Sequence, residues 1–343
     1  MRLLIVSDAW LPQVNGVVRS LDTVRRGLLE RGHAVEMVTP DRFRTIPCPT
    51  YPEIRLAVLP GARTATLIEA FRPDAIHIAT EGPLGQAARK HCLARGYPFT
   101  TAYHTRFPEY IHARCRLPLS WSYAHLRKFH NAGKRIMVAT QTIEDDLAAR
   151  GFNNIVRWTR GVNTDLFHPR KEPFLDFPRP ISVYVGRVAV EKNIEAFLKL
   201  DIPGTKMIVG DGPARAHLEE KYTDAKFVGA HEGEDLARHF AAADVFVFPS
   251  RTDTFGLVLL EALASGLPVA AYPVPGPLDV IGDAPVGVLS ENLEDAVKRA
   301  LTIDPTLCRR HAEGFSWDKS IDQFFNNLYP FRGEHAIRET AAA

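Results

Sequence analysis

The chain has 343 residues, 45% hydrophobic and 24% charged, an ordinary globular composition at a length that predicts two domains. No apolar run approaches the ~18 residues of a membrane-spanning helix, and the four cysteines (Cys48, Cys92, Cys115, Cys308) lack the C-x-x-C spacing of a zinc or redox site. Net charge is +2, but residues 1–170 carry 24 Lys+Arg against 14 Asp+Glu and residues 171–343 carry 18 against 26, a basic half joined to an acidic one. Asp8 interrupts the first apolar run too early for a secretory signal, so a cytoplasmic chain with reduced thiols is expected.

Short β-rich runs alternate with helical patterns, twice over. The first set is RLLIVSD, AVEMVTP, IRLAVLP, AIHIAT, PFTTAYH, RIMVAT and NIVRWTRG; the second is ISVYVGR, KMIVGDG, AKFVGA, VFVFPS, PVAAYP and VGVLS. Strands of this length separated by helices imply parallel sheets of βαβ units. Two doubly wound α/β domains are predicted, residues 1–167 and 181–316, facing each other across a cleft. Between them HPRKEPFLDFPRP, with four prolines in thirteen residues, reads as a linker over 168–180. A last helical segment over 317–330 has no strand after it, and the tail 331–343 is expected to be mobile.

Ligands of open α/β sheets bind at the carboxyl ends of the strands, so the residues just after each run are the candidates. After the first, Val17, Leu21, Val24 and Leu28 recur at helical spacing and Gly32 is a stop. The helix starts near Asn15-Gly16, where a glycine lets a phosphate approach free N–H groups; an asparagine cap with a glycine turn is the alternative. There is no G-x-G-x-x-G, and AVEMVTP ends without an acid for a ribose, which argues against a nicotinamide dinucleotide. His104 follows PFTTAY, placed to bond a substrate hydroxyl or move a proton, or to serve as a structural histidine. Beyond it, Arg106, Arg114, Arg116, Arg127, Lys128, Lys134 and Arg135 face the single acid Glu109, with Trp121, Tyr123 and Leu126 interleaved. That region suits an anionic membrane or a nucleic acid; a solvated face is the plain alternative.

In the second half, Gly186-Arg187 follows a strand and Lys192 comes five residues later, forming either a cationic clamp for a pyrophosphate or a salt bridge of Lys192 with Glu191 or Glu195. Gly210 and Gly212 flank Asp211, at a close backbone approach or a turn. The stretch SRTDTFGLVLLEALASGLPV then sets Asp253 and Glu261 eight positions apart. Asp253 reads as a helix cap or as an acceptor for sugar hydroxyls, with Gly256 allowing close approach to the Phe255, Gly256 and Leu257 amides. Glu261 lies among apolar residues, and a buried carboxylate needs partners: a diol, or an internal ion pair. On an ideal helix it falls ~20° short of the face of position 254.

Taken in order, PQVNGVVRSL, YHTRFPEYI, RGVNTDLFHP, VGRVAVEKN, VGDGP, SRTDTFGLVLLEALASGLPV and FSWDKSIDQF, from residue 12 to about 324, resemble the motifs of the retaining nucleotide-sugar glycosyltransferases called family 4. Those enzymes have the GT-B architecture of two Rossmann-like domains, and the resemblance is to the bacterial group of lipid mannosyltransferases and sulfolipid or glucuronolipid synthases. It implies that Gly16 approaches the donor phosphate and His104 contacts the transferred sugar or the reaction centre. Arg187 and Lys192, after Gly186, would neutralise the diphosphate. Asp253 would hold sugar hydroxyls, the Phe255, Gly256 and Leu257 amides would bind sugar and phosphate, Glu261 would take the ribose, and the final helix would cross back onto the N-terminal domain. The family pattern has glutamate where Asp253 stands, an arm one methylene longer.

The implied activity is transfer of a hexose from a UDP- or GDP-sugar to a diacylglycerol-type lipid or a glycan. It would take place in the cytoplasm, peripherally on the inner leaflet of the cytoplasmic membrane, with the 106–135 region on the anionic surface. No nucleic acid partner is implied. With no Asp-x-Asp in the chain, no metal or other cofactor is demanded. A nucleotide-sugar epimerase of the same architecture and a non-catalytic nucleotide-sugar-binding protein stand as alternatives.

Overall fold

A computed structural model describes residues 1–13, 15–48, 51–171 and 174–332, without the side chains of 51–53, 110 and 113–115; the expected mobile tail, beyond its first two residues, lies outside the described residues, as does the Arg114 side chain. The chain forms two compact units, Met1–Thr159 with Asp318–Ala343, and Arg160–Trp317.

The first unit runs β1 (Arg2–Val6), α1 (Gly16–Glu30), β2 (Ala34–Val38), β3 (Thr45–Cys48), β4 (Tyr51–Ala57), α2 (Gly61–Phe71), β5 (Ala75–Ile78), α3 (Pro83–Arg95), β6 (Thr100–Tyr103), α4 (Phe107–Cys115), α5 (Leu119–His130), β7 (Arg135–Val138), α6 (Gln141–Ala149) and β8 (Ile155–Arg157). Its six-stranded sheet has the order β2-β1-β5-β6-β7-β8, parallel throughout. Leu3, Leu4, Ile5 and Val6 are wholly buried, as a parallel strand covered on both faces requires. One run departs from expectation. IRLAVLP does not join this sheet; β4 pairs antiparallel with β3 in a separate two-stranded ribbon. Ile46 and Arg55 there are exposed, an exposure that a central parallel strand does not tolerate.

The second unit runs β9 (Ile181–Val185), α7 (Ile194–Leu198), β10 (Thr205–Val209), α8 (Arg215–Lys221), β11 (Lys226–Gly229), α9 (Gly233–Ala242), β12 (Val245–Phe248), α10 (Leu257–Ala264), β13 (Val269–Ala271), α11 (Pro277–Val280), β14 (Gly287–Leu289), α12 (Leu293–Ala300) and α13 (Pro305–Ala312), before α14 (Trp317–Asn327). Its sheet order, β11-β10-β9-β12-β13-β14, is that of a Rossmann fold, again all parallel.

The first unit ends at Thr159, eight residues before the boundary read from the sequence. Residues 160–167 are held by the second unit instead. Val162 N–H donates to Phe315 O at 3.0 Å, Arg309 Nη1 donates to Thr164 O and Phe167 O, and the Phe167 ring meets Phe240 edge-on. By the same division, residues 168–180 are counted with the second unit. The 317–330 segment supplies α14, which packs Ile321, Phe324 and Leu328 against Leu3, Ile5, Leu21, Val24 and Trp158 of the first unit. Trp158 Nε1 donates to Ser320 Oγ at 3.1 Å, and Ser320 Oγ donates to Thr159 O at 2.7 Å. Cys92 and Cys308 are free, and burial pushes both thiols up to about 12.

Phe324 is fully buried, its ring 4.8 Å from Trp158 and 4.9 Å from His77. Phe324→Ala is expected to lower stability by about 3–5 kcal/mol, read as a fall in the urea midpoint of the first unit; an unchanged midpoint would show that α14 contributes nothing to that core.

Candidate active site

The strand order of the second sheet reverses between β9 and β12, so the chain leaves these neighbouring strands in opposite directions and opens a crevice at their carboxyl ends. Gly186 follows β9 at φ +147°, and Tyr184 Oη donates to Arg187 O at 2.9 Å, fixing the turn on which Arg187 stands. The next turn, after β10, lies directly against it. A Cβ on Gly210 would sit 1.9 Å from Gly186 O, and one on Gly212 would sit 2.4 Å from Val188 O. Both glycines have strongly positive φ, +152° and +156°, so the Gly-Asp-Gly stretch is a close backbone approach, made to the neighbouring turn. Val188 N–H donates to Asp211 O, and Ala214 N–H donates to Val188 O.

Lys192 ends a single turn of 3-10 helix over Val190–Lys192. The following Asn193 is left-handed, and its Nδ2 donates to Pro249 O at 3.1 Å. Thr252 Oγ1 donates to Glu191 O at 3.4 Å. These bonds tie the turn after β9 to the turn after β12 and bring Lys192 Nζ to 2.5 Å from Asp253 Oδ1. The lysine therefore pairs with Asp253, and Glu195 is taken by Lys221 and Tyr222. Asp253 Oδ2 is buried and has no hydrogen-bond partner among the described residues.

Asp253 does not cap the following helix. α10 starts at Leu257 behind Gly256, whose φ of +80° is strained for any other residue. Residues 253–256 are not helical, so the helical-wheel relation of Glu261 to position 254 does not hold. Phe255 is buried, and Gly256 and Leu257 are partly buried at the helix N-terminus, where first-turn N–H groups lack partners within the helix. Glu261 lies one turn in, 4% exposed, with Leu259, Leu260, Ala262, Leu263 and Ala264 all buried around it.

In the first unit, Gly16 is the first residue of α1, and Asn15 Oδ1 caps it by accepting from Val17 and Val18 N–H, each at 3.0 Å. His104 directly follows β6, its ring edge-on to Trp158 at 5.6 Å. Of the basic region, Arg106 is bound by Glu109 and Asp146, while Arg135 Nη1 donates to Asn326 O and Leu328 O. Tyr123 and Leu126 are buried; Trp121 is 71% exposed.

Sequence reasoning passed over Asp8, at the first sheet's own order reversal between β1 and β5. Its carboxylate accepts from Leu84 N–H at 2.8 Å, Gly85 N–H at 3.3 Å and Thr80 Oγ1 at 2.8 Å. Burial pushes its pKa up, and these hydrogen bonds oppose the rise. A Cβ on Gly82 would lie 2.5 Å from Asp8 Cγ, so the carboxylate sits close against the start of α3. The signal was an acid immediately after RLLIVS. His130, fully buried between Thr101 Oγ1 and Glu81 Oε1, offered no such cue.

The two sheets are a pair of Rossmann-like units with a cation, a carboxylate and a helix N-terminus gathered at the switch point of the second, the equipment of a GT-B glycosyltransferase. Residues 14–166 match Glycosyltransferase Family 4, and residues 179–303 match Glycosyl transferases group 1. A GDP-mannose-dependent alpha-mannosyltransferase of Mycobacterium tuberculosis (strain CDC 1551 / Oshkosh) is 31% identical over 100% of this chain and 99% of its own. The Sulfoquinovosyl transferase SQD2 of Arabidopsis thaliana is 29% identical, over 95% of this chain and 72% of its own. Among solved structures, the sucrose-phosphate synthase of Thermosynechococcus elongatus shares the fold at a TM-score of 0.76, with 20% identity and all of both chains covered. The chain belongs to glycosyltransferase family 4. It is a hexosyltransferase, not an epimerase or a passive binding protein.

The side chains of Lys192 and Asp253 are 21% and 18% exposed, so their pair is only partly screened. Lys192→Met and Asp253→Asn are each expected to lower stability by about 1–2 kcal/mol, and the double variant by less than their sum. Strict additivity in urea unfolding would show that the pair contributes nothing.

Proposed function

We propose that the enzyme takes a hexose from GDP-mannose or a related GDP- or UDP-sugar and transfers it, with retention of anomeric configuration, to a diacylglycerol-type lipid or a glycan at the cytoplasmic face of a membrane. The observation that carries this reading is the Lys192–Asp253 pair at the β9–β12 switch point, with Asp253 Oδ2 still open to a donor. A sugar diphosphate entering there meets Arg187 and Lys192, whose charge stabilises the departing nucleotide. Asp253 accepts hydrogen bonds from the sugar hydroxyls, and the Phe255, Gly256 and Leu257 amides meet sugar and phosphate. Glu261 accepts from the ribose diol. The acceptor hydroxyl attacks the anomeric carbon on the face the diphosphate leaves, and its proton passes to the departing phosphate oxygen. No protein nucleophile is used; positioning and charge supply the rate, and the two cations meet the diphosphate without a metal. The mannosyltransferase relative favours GDP-mannose as donor.

A thermal-shift panel of GDP- and UDP-hexoses, followed by product analysis with diacylglycerol, tests the reading. One donor is expected to raise Tm in proportion to occupancy and to give a glycolipid. Asp253→Ala is expected to lower kcat by about 10²-fold or more, and Asp253→Glu to change the preference among hexoses. Full activity in Asp253→Ala would sink the assignment of that carboxylate.

The membrane part rests on the exposed side chains Phe107, Ile111, Leu117 and Trp121, which accompany exposed Arg116 and Lys128. No helix among the described residues is long and apolar enough to cross a membrane, so contact would be interfacial. In flotation with phosphatidylglycerol vesicles, the paired change Leu117→Ser and Trp121→Ser is expected to weaken binding about tenfold or more. Failure of the unaltered enzyme to float at any salt concentration would remove the membrane surface from the proposal.

A further inference from the structure

One cluster in the second unit has no part in the transfer chemistry. β11 ends at Gly229, and His231 stands two residues on, before α9. Asp235 and His239 follow at four-residue steps, which sets them on one face of that helix. The two imidazoles stack, with centroids 4.1 Å apart and planes at 20°. One nitrogen of each ring and an oxygen of Asp235 lie within 4.8 Å of one another.

The tautomers are set by the backbone. His231 Nε2 lies 3.1 Å from Val228 O, and His239 Nδ1 lies 2.8 Å from Asp235 O. A carbonyl oxygen only accepts, so these nitrogens carry the protons. In the neutral rings the remaining lone pairs are on His231 Nδ1 and His239 Nε2. His231 Nδ1 is also 2.5 Å from Asp235 Oδ2, and a lone pair facing a carboxylate at that distance requires a positive species between them.

We propose that His231, Asp235 and His239 bind a divalent transition-metal ion of the zinc type. Two imidazoles and a carboxylate suit such an ion better than calcium or magnesium, which prefer all-oxygen shells. Metal-ligating histidines characteristically donate their other N–H to a carbonyl or carboxylate, as both do here. Three protein ligands leave the fourth tetrahedral position to water. His239 is 4% exposed and is walled by Phe174, whose ring meets it edge-on at 4.9 Å. Asp235 is half exposed, free to swing outward until each ligand atom reaches the ion at about 2.0–2.2 Å. The bound ion clips the turn after β11 to α9. That turn adjoins the candidate active site, since Gly210 N–H donates to Gly229 O at 2.7 Å.

The competing occupant of the gap is a proton, which would make the cluster a plain imidazolium–carboxylate pair. Calorimetric titration of the tag-free, chelator-treated full chain with ZnCl2 separates the two, with cobalt(II) absorption reporting coordination geometry. Expected are one equivalent bound with a rise in Tm, a tetrahedral cobalt spectrum, and affinity lowered more than about tenfold by Asp235→Asn and by His231→Gln. Circular dichroism checks that both variants stay folded; the Asp235 position is open enough to take the change. Absence of binding, or zinc binding unaltered in both variants, overturns the site and leaves the proton as its occupant.

Discussion

At the carboxyl edge of the second sheet, the turns after β9 and β10 run against each other at distances that leave no room for a Cβ: Gly210 on Gly186 O, and Gly212 on Val188 O. The contact is backbone against backbone, locked by Val188 N–H to Asp211 O and by Ala214 N–H to Val188 O. It determines the path of residues 186–193 and therefore where Arg187 and Lys192 stand. From there the turn is tied sideways to the chain leaving β12, through Asn193 to Pro249 O and Thr252 to Glu191 O. The pairing of Lys192 with Asp253 follows from those bonds, so a charge contact at the site rests on glycines that carry no charge.

The helix behind the site has a second constraint. α10 is apolar on nearly every side and buried from Leu259 to Ala264, with a glutamate in its middle. A left-handed glycine, with no side-chain cap, starts it, so residues 253–256 remain an irregular turn at the head of a buried helix. That arrangement leaves main-chain N–H groups at the edge of the crevice and the Glu261 carboxylate inside the unit.

Much was legible from pattern. The alternation of short apolar runs with helical periodicity defined two parallel α/β units, because strands covered on both faces read as continuous apolar runs. Where structure and pattern differ, the causes are definite. IRLAVLP was apolar enough for the central sheet, but its partner is the half-exposed ribbon strand β3. The prolines at 168–180 resembled a linker, while the bonds from Arg309 and Phe315 that hold residues 160–167 come from more than a hundred positions away. For Asp253 the sequence left a helix cap and a hydroxyl acceptor both open; the approach of Lys192, sixty-one positions earlier, was not visible locally.

By itself the sequence determined the fold class, the carboxyl-edge positions of Arg187, Lys192 and Asp253, and the family motifs, all of which depend on local periodicity and spacing. Only the tertiary structure decided which of these groups touch: that Lys192 meets Asp253, that Gly210 lies on Gly186, that Asp8 binds the start of α3, and that the imidazoles of His231 and His239 stack beside Asp235. Spacing along a chain specifies which edge of a sheet or face of a helix a residue occupies. Which distant residue it meets there depends on strand order and on the positive-φ turns that connect the strands, and neither is encoded within a local window.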